Sequence, residues 1–136
     1  MQVTVVSVGK IKEPPLVQGI SVYSQELSRY CRLRILEVPD VSAPEHLSEK
    51  EKEQVKEAEG QGILKHLQGD MLVIALDMHG RKMTSAELAG KIRHWQGQGR
   101  RHLVFVIGGS LGLSRKVLSR ADFRLSFGPM TFPHQL

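Results

Sequence analysis

An unbroken apolar run, Leu-Val-Phe-Val-Ile at residues 103–107, ends abruptly in Gly108-Gly109-Ser110-Leu111-Gly112. The run is too short for an independent helix and rich in β-branched residues, so it reads as a buried strand. A strand that is apolar at every position needs cover on both faces, as in a parallel sheet lined by helices. The glycines then fall at the strand's carboxyl end, where open α/β sheets hold ligands. Glycine there lets backbone N–H groups approach a ligand with no Cβ in between.

The rest of the chain alternates in the same way. Residues 2–8 and 33–38 read as strands, the first closed by Gly9-Lys10 and the second by Pro39-Asp40. Between them, Pro14-Pro15 introduce a helical pattern with Leu16, Ile20, Tyr23, Leu27 and Tyr30 on one face. Residues 48–68 predict a charged, largely exposed helix, with Ser48 and Glu51 as a capping box. Its thin apolar stripe is Val55, Ala58, Gly62 and Leu67, and nothing in it suggests chemistry. A third strand covers residues 71–76, and residues 77–81 read as the loop after it. Thr84 and Glu87 form a second capping box, opening a helix to about Gln96 with Leu88, Ile92 and Trp95 inward. After the central strand come a helix capped by Ser114 and a short strand at 123–127. This order predicts an α/β fold, a mostly parallel sheet with helices on both faces, in one domain over residues 1–136.

Several function classes lose support from the residues. A single cysteine, Cys31, rules out an intrachain disulfide and reads as an inert thiol. No signal peptide and no membrane-length apolar run is visible, so the expected location is the cytoplasm. The glycines do not spell G-x-G-x-x-G and follow the fourth predicted strand, with no acidic residue at the dinucleotide spacing. Gly9-Lys10 lacks the first glycine of a phosphate loop, since Thr4 stands there. The six histidines show no metal-ligand spacing, and Ser110 lacks the setting of a nucleophile elbow. His79 and His134 fall in candidate loops but read as surface or packing residues. Trp95 and the phenylalanines read as core, although Phe127 and Phe132 are also placed to stack on a planar ligand.

Charge is distributed unevenly. Net charge is +5; residues 1–80 carry nine Lys/Arg against twelve Asp/Glu, and residues 81–136 carry ten against two. The carboxyl-terminal part is therefore +8 and contains the glycine loop, a pattern that favours a polyanionic partner such as nucleic acid. From the residues alone, a nucleotide-binding α/β domain and a non-catalytic RNA-binding module both stay open.

A set of short motifs narrows this further. Val8-Gly9-Lys10, Glu37-Val38-Pro39-Asp40, Leu76-Asp77-x-x-Gly80, Phe105-Val106-Ile107-Gly108-Gly109-Ser110-x-Gly112-Leu113 and Leu125-Ser126-Phe127-x-x-Met130-Thr131-Phe132-Pro133-His134-Gln135 occur in that order. In these the chain resembles the ribosomal large subunit methyltransferase H family, of the SPOUT class, over essentially its whole length. The resemblance implies S-adenosyl-L-methionine as cofactor and N3 methylation of a pseudouridine in a hairpin of 23S ribosomal RNA. It also implies a cytoplasmic homodimer without membrane contact, and a trefoil knot near the carboxyl terminus. Carried over residue by residue, the cofactor is expected against Leu76, Gly108, Gly109, Phe127, Gly128, Pro129, Met130, Thr131 and Phe132. No metal is implied. Family members continue beyond the Pro-His-Gln-Leu motif with a knot-completing helix and a basic, aromatic tail that carries residues of the reaction. The resemblance thus implies a chain shortened after Leu136, with weakened cofactor binding, no turnover and its catalytic residues in the missing tail.

Overall fold

The computed structural model describes residues 2–10, 32–41 and 46–127. Within them the chain runs β1 (Gln2–Val8), β2 (Arg32–Val38), α1 (Glu49–Leu64), β3 (Leu72–Lys82), α2 (Ser85–Gly97), β4 (His102–Ile107), α3 (Arg115–Arg120) and β5 (Phe123–Ser126). The five strands form one sheet in the order β2-β1-β4-β3-β5, and every pairing is parallel. The helical pattern expected from Pro14 onward, Cys31, His134 and the carboxyl-terminal knot all fall outside the described residues.

The unbroken apolar run is β4, and its position explains its composition. It lies between β1 and β3, and side chains alternate across a strand, so both of its faces are interior. Leu103, Phe105 and Ile107 join Val3, Val5, Leu72 and Ile74 beneath Leu88, Ile92 and Trp95 of α2. Val104 and Val106 join Val6, Val73 and Ala75 on the other face, covered by Ile63 of α1 and Val117 of α3. Helices thus cover both faces, as the sequence predicts.

The three helices begin where side chains take over the orphan N–H groups of the first turn. Ser48 and Glu51 exchange bonds of 3.1 and 3.2 Å at the start of α1, and Thr84 and Glu87 do so at α2. Ser114 accepts from the Val117 N–H at the start of α3.

Two expectations need correction. The packed face of α1 is centred beside the predicted Val55–Ala58–Gly62–Leu67 stripe; its buried residues are Glu59, Gly60 and Ile63, Ala58 is exposed, and Val55, Gly62 and Leu67 are half-buried. Gly60 decides this: a methyl group on it would lie 2.5 Å from the Ser114 Oγ, so α1 meets the start of α3 at its glycine. The third strand also does not stop at Leu76. It continues to Lys82 with a bulge over residues 77–80, so that Leu125 pairs with both Leu76 and Arg81. Gly80 permits the bulge, because a Cβ there would lie 2.7 Å from the backbone of Arg124 and Leu125.

Asp122 fixes β5 on the outer edge of β3. Its carboxylate accepts from the Val73 N–H at 2.8 Å, its own N–H donates to the Val73 carbonyl at 2.8 Å, and Arg120 pairs with it. Phe123, the first residue of β5, then meets Trp95 edge-on with ring centroids 5.6 Å apart, and Lys91 covers both rings.

Candidate functional site

The expected site residues that are described gather at the carboxyl edge of three neighbouring strands. Ala75 of β3 pairs with Val106 of β4, and Leu76 with Leu125 of β5. Leu76 therefore stands one step along from that β4 pair, level with Ile107, and Gly108 follows directly. Phe127 lies two residues past Leu125 on the other side. Leu76, Gly108 and Gly109 are each partly exposed at this edge. Phe127 is 9% exposed and its ring belongs to the α2-side core, which leaves little of it for stacking. Gly128, Pro129, Met130, Thr131 and Phe132 lie outside the described residues.

The glycine loop is a tight reversal that needs its glycines for its own shape. The Gly112 N–H donates to the Gly109 carbonyl at 3.0 Å, and the two residues form a short antiparallel bridge. Gly112 has a φ of 89°, a left-handed value that side chains resist. A methyl group on Gly108 would lie 2.8 Å from the Gly112 carbonyl carbon. The reversal exposes Ser110 and Gly112 and leaves Leu111 half-buried beside the strand ends.

A buried carboxyl that the sequence reading missed lies against this turn. Glu59 of α1 is 5% exposed, and its Oε1 and Oε2 are 3.1 and 3.2 Å from where a Cβ on Gly109 would stand. Its Oε2 accepts from the Val41 N–H at 3.1 Å, while its buried Oε1 has no hydrogen-bond partner among the described residues. Burial raises its pKa first, and the neighbouring Asp40 side chain, placed to share a proton with it, adds to that; the Val41 bond opposes both, and the result is about 7. One signal for it was present in the sequence. Glu59 is four residues from both Val55 and Ile63, which puts a carboxyl on an apolar helix stripe.

Cations surround the edge. Arg81 and Lys82 at the end of β3 are exposed, as are Arg124 on β5 and Arg115 and Lys116 at the start of α3. Arg124 lies 3.9 Å from Asp77, whose other oxygen accepts from the His79 N–H at 3.3 Å. His79 is exposed, and Met78 beside it is 79% exposed. Among the described residues, no cluster of three or more His, Cys, Asp or Glu has metal-ligand geometry. Among them, too, no helix is long and apolar enough to cross a membrane.

An all-parallel sheet with a glycine reversal at its central carboxyl edge and a basic rim fits a group-transfer enzyme of the α/β class. The comparison with known families defines that class. The family model described as "Predicted SPOUT methyltransferase" matches residues 1–136, and the chain belongs to this family.

Among individual proteins, the chain is 52% identical to the "Ribosomal RNA large subunit methyltransferase H" of Alkaliphilus oremlandii, across all 136 residues of this chain and 86% of that one. The proteins of the same name from Acetivibrio thermocellus and Clostridium tetani are 50% and 52% identical, with the same coverage.

Proposed function

We propose that this chain is the cofactor-binding domain of an enzyme that transfers a methyl group from S-adenosyl-L-methionine to 23S ribosomal RNA, at N3 of a pseudouridine in a large-subunit hairpin, with the residues of the reaction itself outside residues 1–136. The observation that carries the reading is whole-chain membership of a methyltransferase family, with half-exposed Leu76, Gly108 and Gly109 side by side at one sheet edge. Those residues fit the cofactor. Leu76 and Leu111 offer apolar surface to an adenosyl group, and the bare backbone of Gly108 and Gly109 offers hydrogen-bonding groups to its edge. The proposed pocket continues through Phe127 and, by sequence, Gly128, Pro129, Met130, Thr131 and Phe132.

The cofactor supplies a sulfonium methyl that needs no further activation. What the chain contributes is alignment of donor and acceptor, the larger part of the work in such a transfer. The rim of Arg81, Lys82, Arg115, Lys116 and Arg124 supports RNA phosphates and sets up a positive field. A positive field favours loss of the N3 proton, which must leave for the nitrogen to attack. The same resemblance extends the proposal to a homodimer working in the cytoplasm.

Mass analysis of ribosomal RNA from cells with and without the gene tests this directly. One methyl group is expected to disappear from a single pseudouridine of 23S RNA. Identical methylation in both strains would overturn the reading and leave a non-catalytic RNA-binding module of the same fold.

A further inference from the structure

Glu59 has no part in that reading, yet its surroundings are those of a working group. Two segments meet it directly: Asp40 and Val41 after β2, and Gly109 at the opening of the reversal after β4. Val8 at the end of β1 lies against the same Gly109, and the neighbouring Gly60 meets Ser114 at the start of α3. Asp40 itself stands beside Gly9, whose Cβ would lie 3.8 Å from that of Asp40. Ionised, the Glu59 carboxylate satisfies one oxygen through the Val41 N–H and leaves the other buried without a donor among the described residues. A buried charge with an unsatisfied oxygen is costly. A proton on that oxygen converts it to a donor, and Asp40 is the acceptor at hand.

We propose that Glu59 is a positioning residue for the 108–112 turn: protonated, it binds Asp40 and Val41 together and holds the turn above it in the shape that receives the cofactor, and loss of the proton releases that hold. The inference rests on the proposed cofactor site for its consequence but not for its geometry. Among the described residues Asp40 is the titratable group that acts on Glu59, and Val8, Gly109 and Ser114 bring no charge. The hold therefore belongs to neutral and mildly acidic conditions and weakens as pH rises through about 7.

The test compares the unmodified chain with Glu59→Gln and Glu59→Ala. Glutamine keeps the size, accepts from Val41 and donates to Asp40, so it imitates the protonated state. Amide hydrogen exchange at Gly109, Leu111 and Gly112 is followed from pH 6 to pH 8, corrected for intrinsic rates, without cofactor. In the unmodified chain, protection is expected to fall about tenfold across that range, as for a group of which only the protonated form holds the turn. Glu59→Gln is expected to keep the low-pH protection throughout, and Glu59→Ala to lack it throughout. Calorimetric affinity for S-adenosyl-L-methionine is expected to follow the same three patterns. The same pH trend in the unmodified chain and Glu59→Gln overturns the proposal. If exchange behaves as expected but no variant binds the cofactor at any pH, the cofactor reading fails and the hold of Glu59 on the turn stands.

Discussion

Gly108 and Gly112 owe their identity to different causes, and substitution separates them. Alanine at Gly108 places a methyl group 2.8 Å from backbone that cannot yield, so it is expected to cost about 1–3 kcal/mol as an overpacked site and to weaken cofactor binding. Alanine at Gly112 meets no atom of the described residues within 4 Å and only a left-handed φ, for a smaller loss of about 1 kcal/mol. Gly69, with nothing among the described residues within 4 Å and no unusual φ, is the control. Chemical denaturation of the three variants checks the order. Glu59 makes a second prediction at this scale. Its carboxyl rises from an ordinary 4.5 to about 7 on folding, so the folded chain holds a proton that the unfolded chain gives up. The associated stability is present in full below about 4.5 and is lost as pH rises through about 7, amounting to at most roughly 3 kcal/mol. A denaturation series from pH 5 to pH 8 is expected to show this decline in the unmodified chain and not in Glu59→Gln. The glycine pattern was legible in the sequence as a turn, but its reason was not. A string of residues does not show that Gly108 yields to the backbone of Gly112, four positions on.

At the level of elements, α1 meets the start of α3 at Gly60 and Ser114. Gly60→Ala drives a methyl group to 2.5 Å from the Ser114 Oγ and is expected to cost about 1–3 kcal/mol. Ser114→Ala loses a helix cap, at about 1 kcal/mol. The double variant removes the clashing oxygen, so it is expected to be more stable than the sum of the singles predicts, which a double-mutant cycle measures. Strands and caps were readable in advance because their signals are local. β4 announces itself through an apolar run, and both capping boxes through residues three apart. The misplaced face of α1 and the missed continuation of β3 have non-local causes. One depends on where α3 begins, the other on β5 offering Leu125 to two different residues of β3. Residues 77–80 look like a loop because they form the bulge that shifts the register of β3 against β5.

For the molecule as a whole, the division of charge sets how it meets RNA. With +8 on residues 81–136, binding to large-subunit RNA is expected to weaken steeply with salt. Neutralising Arg81, Lys82 and Arg124 together is expected to reduce the slope of log affinity against log salt by roughly 2 if each meets a phosphate. Filter binding across a salt series checks this, and the loss is expected to be similar for all RNA sequences. The alternating pattern made the parallel sheet legible, yet it could not give the strand order. Consecutive strands β3 and β4 are neighbours, but β5 passes beyond β3 to its far side. That crossing has a consequence for biosynthesis. While the chain is being made, β3 can dock on β4 as soon as residue 107 has emerged, but its outer backbone stays bare until residue 126 follows. In that interval a nascent chain presents an open template to any passing strand, and slowing translation after residue 107 should raise the yield of misassembled protein.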